Sequence, residues 1–293
     1  MIFLYMGCLL LLLYYLCTKN HNYWESRGVP FEKPVFFVGN FYKILAGKQH
    51  ISYRMREIYN SFNTPYIGIY IFHQPNLVIK SPDLVKKILV KDFDKFINRR
   101  VATNEAVDPI ATHTLFSAQD QVWKNLRAKI SPVFTSGKMK LMFPLMKECG
   151  SDLVDYLDKR NGEVVEVRNM TKKFAVDIIS SCAFGINAYC LKEESSEIMK
   201  VTTKLMDLKS FVRTFSIFSY FFAPMFVDIF RLTFVDKTSS NYLVKIFNTT
   251  IKERQKQNIV RHDLIDLLNN LKQKETFNDS YKFGTCSQNG CFV

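Results

Sequence analysis

Residues 121–143 read QVWKNLRAKISPVFTSGKMKLMF. Trp123 and Arg127 are four residues apart, so a helix carries them on one face, one turn from each other. Ser117 suits the N-cap of that helix, with Asp120 at the capping-box position. Pro132 disfavours helical backbone at Ser131, so the helix is expected to stop there. An indole N–H and a guanidinium on one face can together hold an anion, the guanidinium through two parallel hydrogen bonds. Taken bare, the W-x-x-x-R pair also fits a core tryptophan beside a surface arginine, and that is its commoner meaning.

The rest of the chain sets bounds on this helix. Of 293 residues, 47% are hydrophobic and 14% aromatic, enough for a large core and one or two domains. The net charge of +13 attracts acidic partners: nucleic acid, anionic lipid or an acidic protein. No helix-turn-helix, zinc-finger or RNA-binding motif is present, so nucleic acid is not expected as a partner. Seven cysteines form no C-x-x-C pair, and two of them, Cys8 and Cys17, lie in an apolar run. They fit reduced thiols better than a disulfide framework or a zinc site, and five scattered histidines add no ligand cluster, so no metal ligand is assigned.

Residues 1–17, MIFLYMGCLLLLLYYLC, are uncharged and leucine-rich. As a helix they reach about 25 Å, just short of a hydrocarbon core of about 30 Å. No basic segment precedes the run, and Leu16-Cys17-Thr18 is not a small-x-small cleavage site. Residues 1–18 are therefore expected as an uncleaved membrane anchor rather than a removed signal peptide. Lys19 and Arg27 follow it and put the rest of the chain on the cytoplasmic side, where the sequons at Asn169, Asn248 and Asn278 stay unmodified. Residues 19–40 hold Pro30 and Pro34 and are expected as an extended hinge.

Gln49–Tyr59 reads as an amphipathic helix with Ile51, Met55 and Ile58 inward. Tyr66–Phe72 and Leu77–Lys80 are expected as a hairpin turning at His73-Gln74-Pro75-Asn76. Ser81 is expected to cap a helix that starts at Pro82 and buries Leu84, Val85, Ile88 and Leu89. Val101–Phe116 has no clear periodicity. Met139–Leu157 carries Met142, Met146, Cys149, Leu153, Tyr156 and Leu157 at helical spacing, a stripe expected in the core. After a break at Gly162–Val167, Thr171–Phe184 is expected as a second long helix ended by Gly185, with Phe174, Ile178 and a packed Cys182 on one face. Phe211–Phe234 is aromatic-heavy and interrupted by Pro224. Tyr242–Gln257 reads as a basic amphipathic helix packing Leu243, Ile246, Phe247 and Ile251. Asp263–Lys272 reads as a short helix with Leu264, Leu267, Leu268 and Leu271 inward.

The longer pattern W-K-x-L-R-x-K-x-S-P-x-F-T-S-G-K-M-K resembles the C-helix of the cytochrome P450 haem-thiolate monooxygenases, most of all the microsomal insect detoxification branch. The resemblance implies a mainly α fold with a small β-rich N-terminal lobe, preceded by one anchor helix at the endoplasmic reticulum membrane. It extends through the Pro-containing hinge ending in Gly39-Asn40, the DIISSCAFGI run, and Arg261-His262-Asp263-Leu264. Phe31-Glu32 departs from the hinge pattern, where a further Pro is usual, and implies a softer hinge. By resemblance Trp123 and Arg127 bind a haem propionate, and Arg99 falls where some relatives place another propionate contact or is a solvated loop arginine. Val101–Phe116 corresponds to a loop over the haem, with Phe116 either in the substrate cavity or packed on the next helix. Phe211–Phe234 corresponds to the roof of that cavity. Haem, an NADPH–cytochrome P450 reductase and a small lipophilic substrate are the implied cofactor and partners, with Lys124, Lys129, Lys138 and Lys140 on the reductase side.

The chemistry of the family is only partly written here. The F-x-x-G-x-x-x-C-x-G loop of the iron-bound cysteine is not matched by Phe283-Gly284-Thr285-Cys286 or by Cys291. No E-x-x-R occurs, and Ala46-Gly47 does not continue into A-G-x-x-T. No catalytic residue is assigned. Residues 41–275 are expected as the N-terminal part of the domain, and 276–293 as a divergent, aperiodic tail. The expectation is a monooxygenase truncated before its haem-ligand cysteine; the alternative is a haem-free, non-catalytic, membrane-tethered fragment.

Overall fold

A computed structural model describes residues 1–193, 196–205 and 210–277. The expected tail therefore lies outside the described residues from 278 onward. The chain divides into two compact units, Met1–Ile97 and Asn98–Val293.

The first unit begins with α1 (Ile2–Thr18), 17 residues with no capping side chain. Among the described residues no helix is long and apolar enough to cross a membrane, and α1 falls just short. A short turn, α2 (Tyr42–Leu45), precedes α3 (Ile51–Ser61), whose N-cap His50 accepts the Ser52 N–H. In α3 Ile58 is fully buried while Met55 and Ile51 are half-buried. The sheet among the described residues has two antiparallel strands, β1 (Tyr66–Ile71) and β2 (Gln74–Ile79). The register pairs Tyr66 with Ile79 and Ile71 with Gln74. The turn is thus Phe72-His73, not the four residues expected. Phe72 takes φ 54°, and Pro75 sits in the strand opposite Tyr70. Pro is tolerated there because an edge strand leaves alternate N–H groups unpaired.

Hydrogen bonds tie the hinge to the sheet. Phe31 bridges Gly68 in parallel, Gly68 N–H donates to Pro30 O at 2.8 Å, and Glu32 N–H donates to Gly68 O at 3.1 Å. The Glu32 carboxylate then accepts from Arg54 Nη2 at 2.5 Å, so the residue that replaces the usual proline ties the hinge to α3. Asn40, 1% exposed, closes the end of the hinge. Its Nδ2 donates to Glu32 O and Lys33 O, and its Oδ1 accepts the Tyr70 N–H at 2.6 Å. Gly39 makes that approach possible: its φ is +65°, and a Cβ there would lie 2.4 Å from Tyr70 O.

Next comes α4 (Pro82–Lys86), with Ser81 at the N-cap and Pro82 at N1, though Ser81 makes no side-chain cap bond. A π-turn, Lys87–Lys91, continues it. The buried face expected here is not formed. Val85 and Leu89 are exposed, and Leu84 and Ile88 only half-buried. The widened π-turn rotates Leu89 off the stripe that 3.6-residue spacing would align.

The second unit opens with the 98–120 segment and its single turn α5 (Pro109–Thr112), N-capped by Asp108. The helix of the opening stretch is α6 (Asp120–Ile130), followed by a 3-10 turn at Ser131–Phe134 around Pro132. The N-cap is Gln119, without a side-chain bond, and not Ser117, which is buried in the preceding turn. Asp120 is not a capping-box acid either: it takes φ 47° and pairs with Asn98.

Beyond it lie α7 (Ser136–Asp158) and α8 (Val167–Ala183), packed against each other. Met142, Cys149 and Tyr156 are buried on α7 as the stripe predicts, whereas Leu157 is exposed. On α8 the most buried positions are Val176, Asp177, Ser180, Ser181 and Cys182; Phe174 and Ile178 are only half-buried. Asp177 accounts for this shift of face, because its carboxylate accepts the Cys190 and Leu191 N–H groups at 2.7 and 3.1 Å.

Then follow α9 (Glu197–Leu205), α10 (Phe211–Phe222), α11 (Pro224–Phe230), α12 (Lys237–Gln257) and α13 (Leu264–Phe277). α12 starts one turn earlier than its apolar spacing suggests, because Asp236 caps it through the Thr238 and Ser239 N–H groups. On α13 Ile265, 1% exposed, lies deeper than Leu264 and Leu268; the Leu271 side chain lies outside the described residues.

Candidate functional site

The site residues all belong to the second unit. On α6 Trp123 is half-buried and Arg127 exposed. The helix is amphipathic without a fully buried residue, and its last turn is basic, Arg127 and Lys129, where the helix dipole favours cations. One face of the helix thus carries the Trp123 indole and the Arg127 guanidinium. Lys124, Lys138 and Lys140 are exposed and Lys129 is half-buried, so the positive field continues into α7.

Arg99 reaches the same neighbourhood through its own segment. Asn98 exchanges two hydrogen bonds with Asp120 at the start of α6: Nδ2 donates to the carboxylate at 2.7 Å, and Oδ1 accepts the Asp120 N–H at 2.8 Å. The left-handed backbone at Asp120 allows this exchange. The Arg99 guanidinium lies 4.9 Å from the centroid of the Phe116 ring and donates to Phe116 O at 3.4 Å. A cation over a ring face is attracted by the ring quadrupole. Phe116 stays 48% exposed and meets Phe221 of α10 edge-on at 5.9 Å. Two expected site residues, Arg99 and Phe116, are therefore brought into contact with each other. Trp123 and Arg127 form the second pair one helical turn apart.

The aromatic segment beside Phe116 is dense. Phe215 stacks on Phe226 at 5.8 Å and Tyr220 meets Phe234 at 5.2 Å. One face of it faces outward: Phe211, Val212, Ile229 and Phe230 are exposed.

The three buried cysteines, Cys149, Cys182 and Cys190, do not offer a thiolate. Burial pushes the Cys149 and Cys190 thiols up to about 11, and burial also raises Cys182. A neutral thiol is a poor metal ligand. No group of three or more His, Cys, Asp or Glu placed to hold a metal occurs among the described residues. Cys286 and Cys291 lie outside them. Among the described residues, Trp123 and Arg127 fit the carboxylate-bearing edge of a cofactor, and no cluster fits a metal.

Asp108 was invisible to motif reading, although Asp108-Pro109 is a recognisable helix start, with a capping residue and Pro at N1. It is 5% exposed and joins the 101–116 segment to the turn after α11.

The second unit is mainly helical, with Trp123 and Arg127 one turn apart on α6 and an aromatic cluster along α10 and α11. The chain belongs to the cytochrome P450 family: the family model described as Cytochrome P450 matches residues 29–286. Haem is that family's cofactor. Among curated proteins the chain is 37% identical over 268 residues to cytochrome P450 6k1 of Blattella germanica, covering 91% of this chain and 50% of that protein. It is 35% identical over 267 residues to cytochrome P450 6j1 of the same organism, covering 90% and 53%. To cytochrome P450 6a2 of Drosophila melanogaster it is 32% identical over 270 residues, again covering 90% and 53%. The chain spans about half the length of the curated relatives it matches.

Proposed function

We propose that this chain supplies the propionate edge and the aromatic wall of a membrane-bound monooxygenase acting on small lipophilic compounds. The observation that carries the reading is α6, with Trp123 and Arg127 one turn apart on a helix whose arginine is open to a ligand. Haem, when bound, supplies the activation of O2 for oxygen insertion. The chain's own residues bind and orient. Arg127 would hold a carboxylate through its guanidinium, with the Trp123 ring on the same helical face beside it. Arg99, held over Phe116, would supply a second cation for the cofactor's other carboxylate. Phe116, Phe221 and their aromatic neighbours present a lipophilic surface that excludes water and selects apolar substrates. The exposed lysines of α6 and α7 would speed encounter with an acidic reductase.

Attachment to the endoplasmic reticulum membrane belongs to the same proposal. α1 exposes Phe3, Leu4, Leu11 and Tyr15, an apolar surface that water does not favour. The outward face of α10 and α11 would add contact with the membrane surface.

Hemin titration tests the core of the reading. In detergent, hemin should quench Trp123 fluorescence and shift its own Soret band on binding. Arg127→Ala should weaken that binding about tenfold, as expected for one lost charge-assisted contact. Equal affinity of wild type and Arg127→Ala would refute the propionate assignment. No saturable binding at all would favour the haem-free, membrane-tethered reading.

A further inference from the structure

The segment that carries Arg99 is tied to the entry of α6 at two points. Asn98 Nδ2 donates to Asp120 Oδ1 at 2.7 Å, and the Asp120 N–H donates back to Asn98 Oδ1 at 2.8 Å. Gln119 Nε2 donates to Thr103 Oγ1 at 3.5 Å. Arg99 lies between these ties, with its guanidinium over the Phe116 ring. The reciprocal pair needs an unusual backbone: Asp120, the first residue of α6, takes φ 47°. Few non-glycine residues adopt the left-handed region, Asn and Asp most readily, and the conformation persists only where surrounding contacts hold it. Asn98, Arg99 and Asp120 are all exposed, so the pair closes no part of the core. It does fix the neighbour of Arg99 to the turn of α6 that leads into Trp123.

We propose that the Asn98–Asp120 pair is a positioning element: it sets the Arg99 guanidinium relative to Trp123 and Arg127, so that the chain engages both carboxylates of its cofactor at once. The inference rests on the reading of Arg99, Trp123 and Arg127 as carboxylate contacts. A cation held in place binds an anion more tightly than a mobile one, because less side-chain and loop freedom is lost on binding. Asn98 and Asp120 act through Arg99 and need not touch the cofactor.

The test compares hemin with hemin dimethyl ester, which keeps the ring and iron but has no free carboxylate, by titration of the full chain in detergent. Wild type should prefer hemin. Asn98→Asp sets two carboxylates against each other and should weaken hemin binding about tenfold, with ester affinity unchanged. Adding Asp120→Asn reverses donor and acceptor. The carboxylate at 98 can then accept both the backbone N–H and the side-chain amide of residue 120, and the total charge returns to that of wild type. This double variant should recover hemin affinity to within about threefold of wild type. In an Arg99→Ala background, Asn98→Asp should have no further effect. Equal weakening toward hemin and ester would overturn the proposal, because a merely structural pair affects both. No recovery in the double variant would overturn it too, since the charge at 98 would then be repelling the ligand directly. Weakening by Arg99→Ala but not by Asn98→Asp would overturn the positioning role alone. Wild-type hemin affinity in Arg99→Ala would overturn the carboxylate reading of Arg99 and the positioning role with it.

Discussion

Replacing Arg254 should unfold the second unit's α12–α13 corner, and the size of the loss can be worked out from its partners. Arg254 is 8% exposed and Asp263 fully buried. Arg254 Nη1 donates to Asp263 Oδ1 at 2.8 Å and to Asp266 Oδ1 at 2.7 Å, while Nη2 donates to Asp263 Oδ2 and to Gly185 O. Arg254→Met keeps the apolar stem but strands the Asp263 charge, whose remaining bond is the Asp266 N–H at 3.2 Å. Breaking one side of a buried pair costs about 3–5 kcal/mol, a large part of a stability of about 5–15 kcal/mol. For a unit of this size that lowers the melting temperature by about 6–20 °C. Urea and thermal unfolding followed by circular dichroism would measure it. Arg254→Lys, with the charge but not the planar fork, should fall between. The double variant Arg254→Met/Asp263→Leu should regain part of the loss, because the fully buried charge is gone and Asp266, though it loses Arg254, keeps the Arg261 and His262 N–H groups. A loss below about 1 kcal/mol for Arg254→Met, or a double variant worse than the single, would refute the reasoning.

Three further outcomes follow from local geometry. Gly39→Ala meets both a left-handed backbone and the Tyr70 carbonyl at 2.4 Å, so it should cost about 2 kcal/mol or more of the first unit's stability in the same unfolding assay, against little effect for an alanine at Gly47 beyond its φ of +66°. Burial alone would raise Asp236, but contacts from Ser239 and Lys204 outweigh it and hold the carboxyl at about 2. A lowered folded pKa gives stability that is present above the unfolded value near 3.8 and lost as pH falls toward about 2, so the difference between wild type and Asp236→Asn should shrink across that window. Deleting residues 2–18 should move most of the protein out of the membrane pellet at high salt, leaving residual binding through 211–230; unchanged fractionation would sink the anchor proposal.

The sequence by itself determined the features that are local. Trp123 and Arg127 share a helical face because four residues make about one turn, and the α-helix gives way at Pro132, which lacks an N–H, to a 3-10 turn in which Ser131 is still helical. The hairpin's existence, the α7 stripe and the left-handed Gly185 after α8 follow from the same short-range rules. Only the tertiary structure decided where the buried polar groups go. Nothing in the sequence marks Asp108, Asp177 and Asp263 for burial, yet each is nearly inaccessible. Each is held by partners that chain spacing does not announce: Phe234 for Asp108, Cys190 and Leu191 for Asp177, Arg254 for Asp263. Gly185 shows both levels at once. Its φ of +63° is a local requirement of the helix end, but the space a Cβ would fill is taken by the Arg254 guanidinium, 69 positions along the chain. Burying a charge is favourable only when its partners are already in place. A pattern read along the chain contains the charge but not the partners, and the fold supplies them.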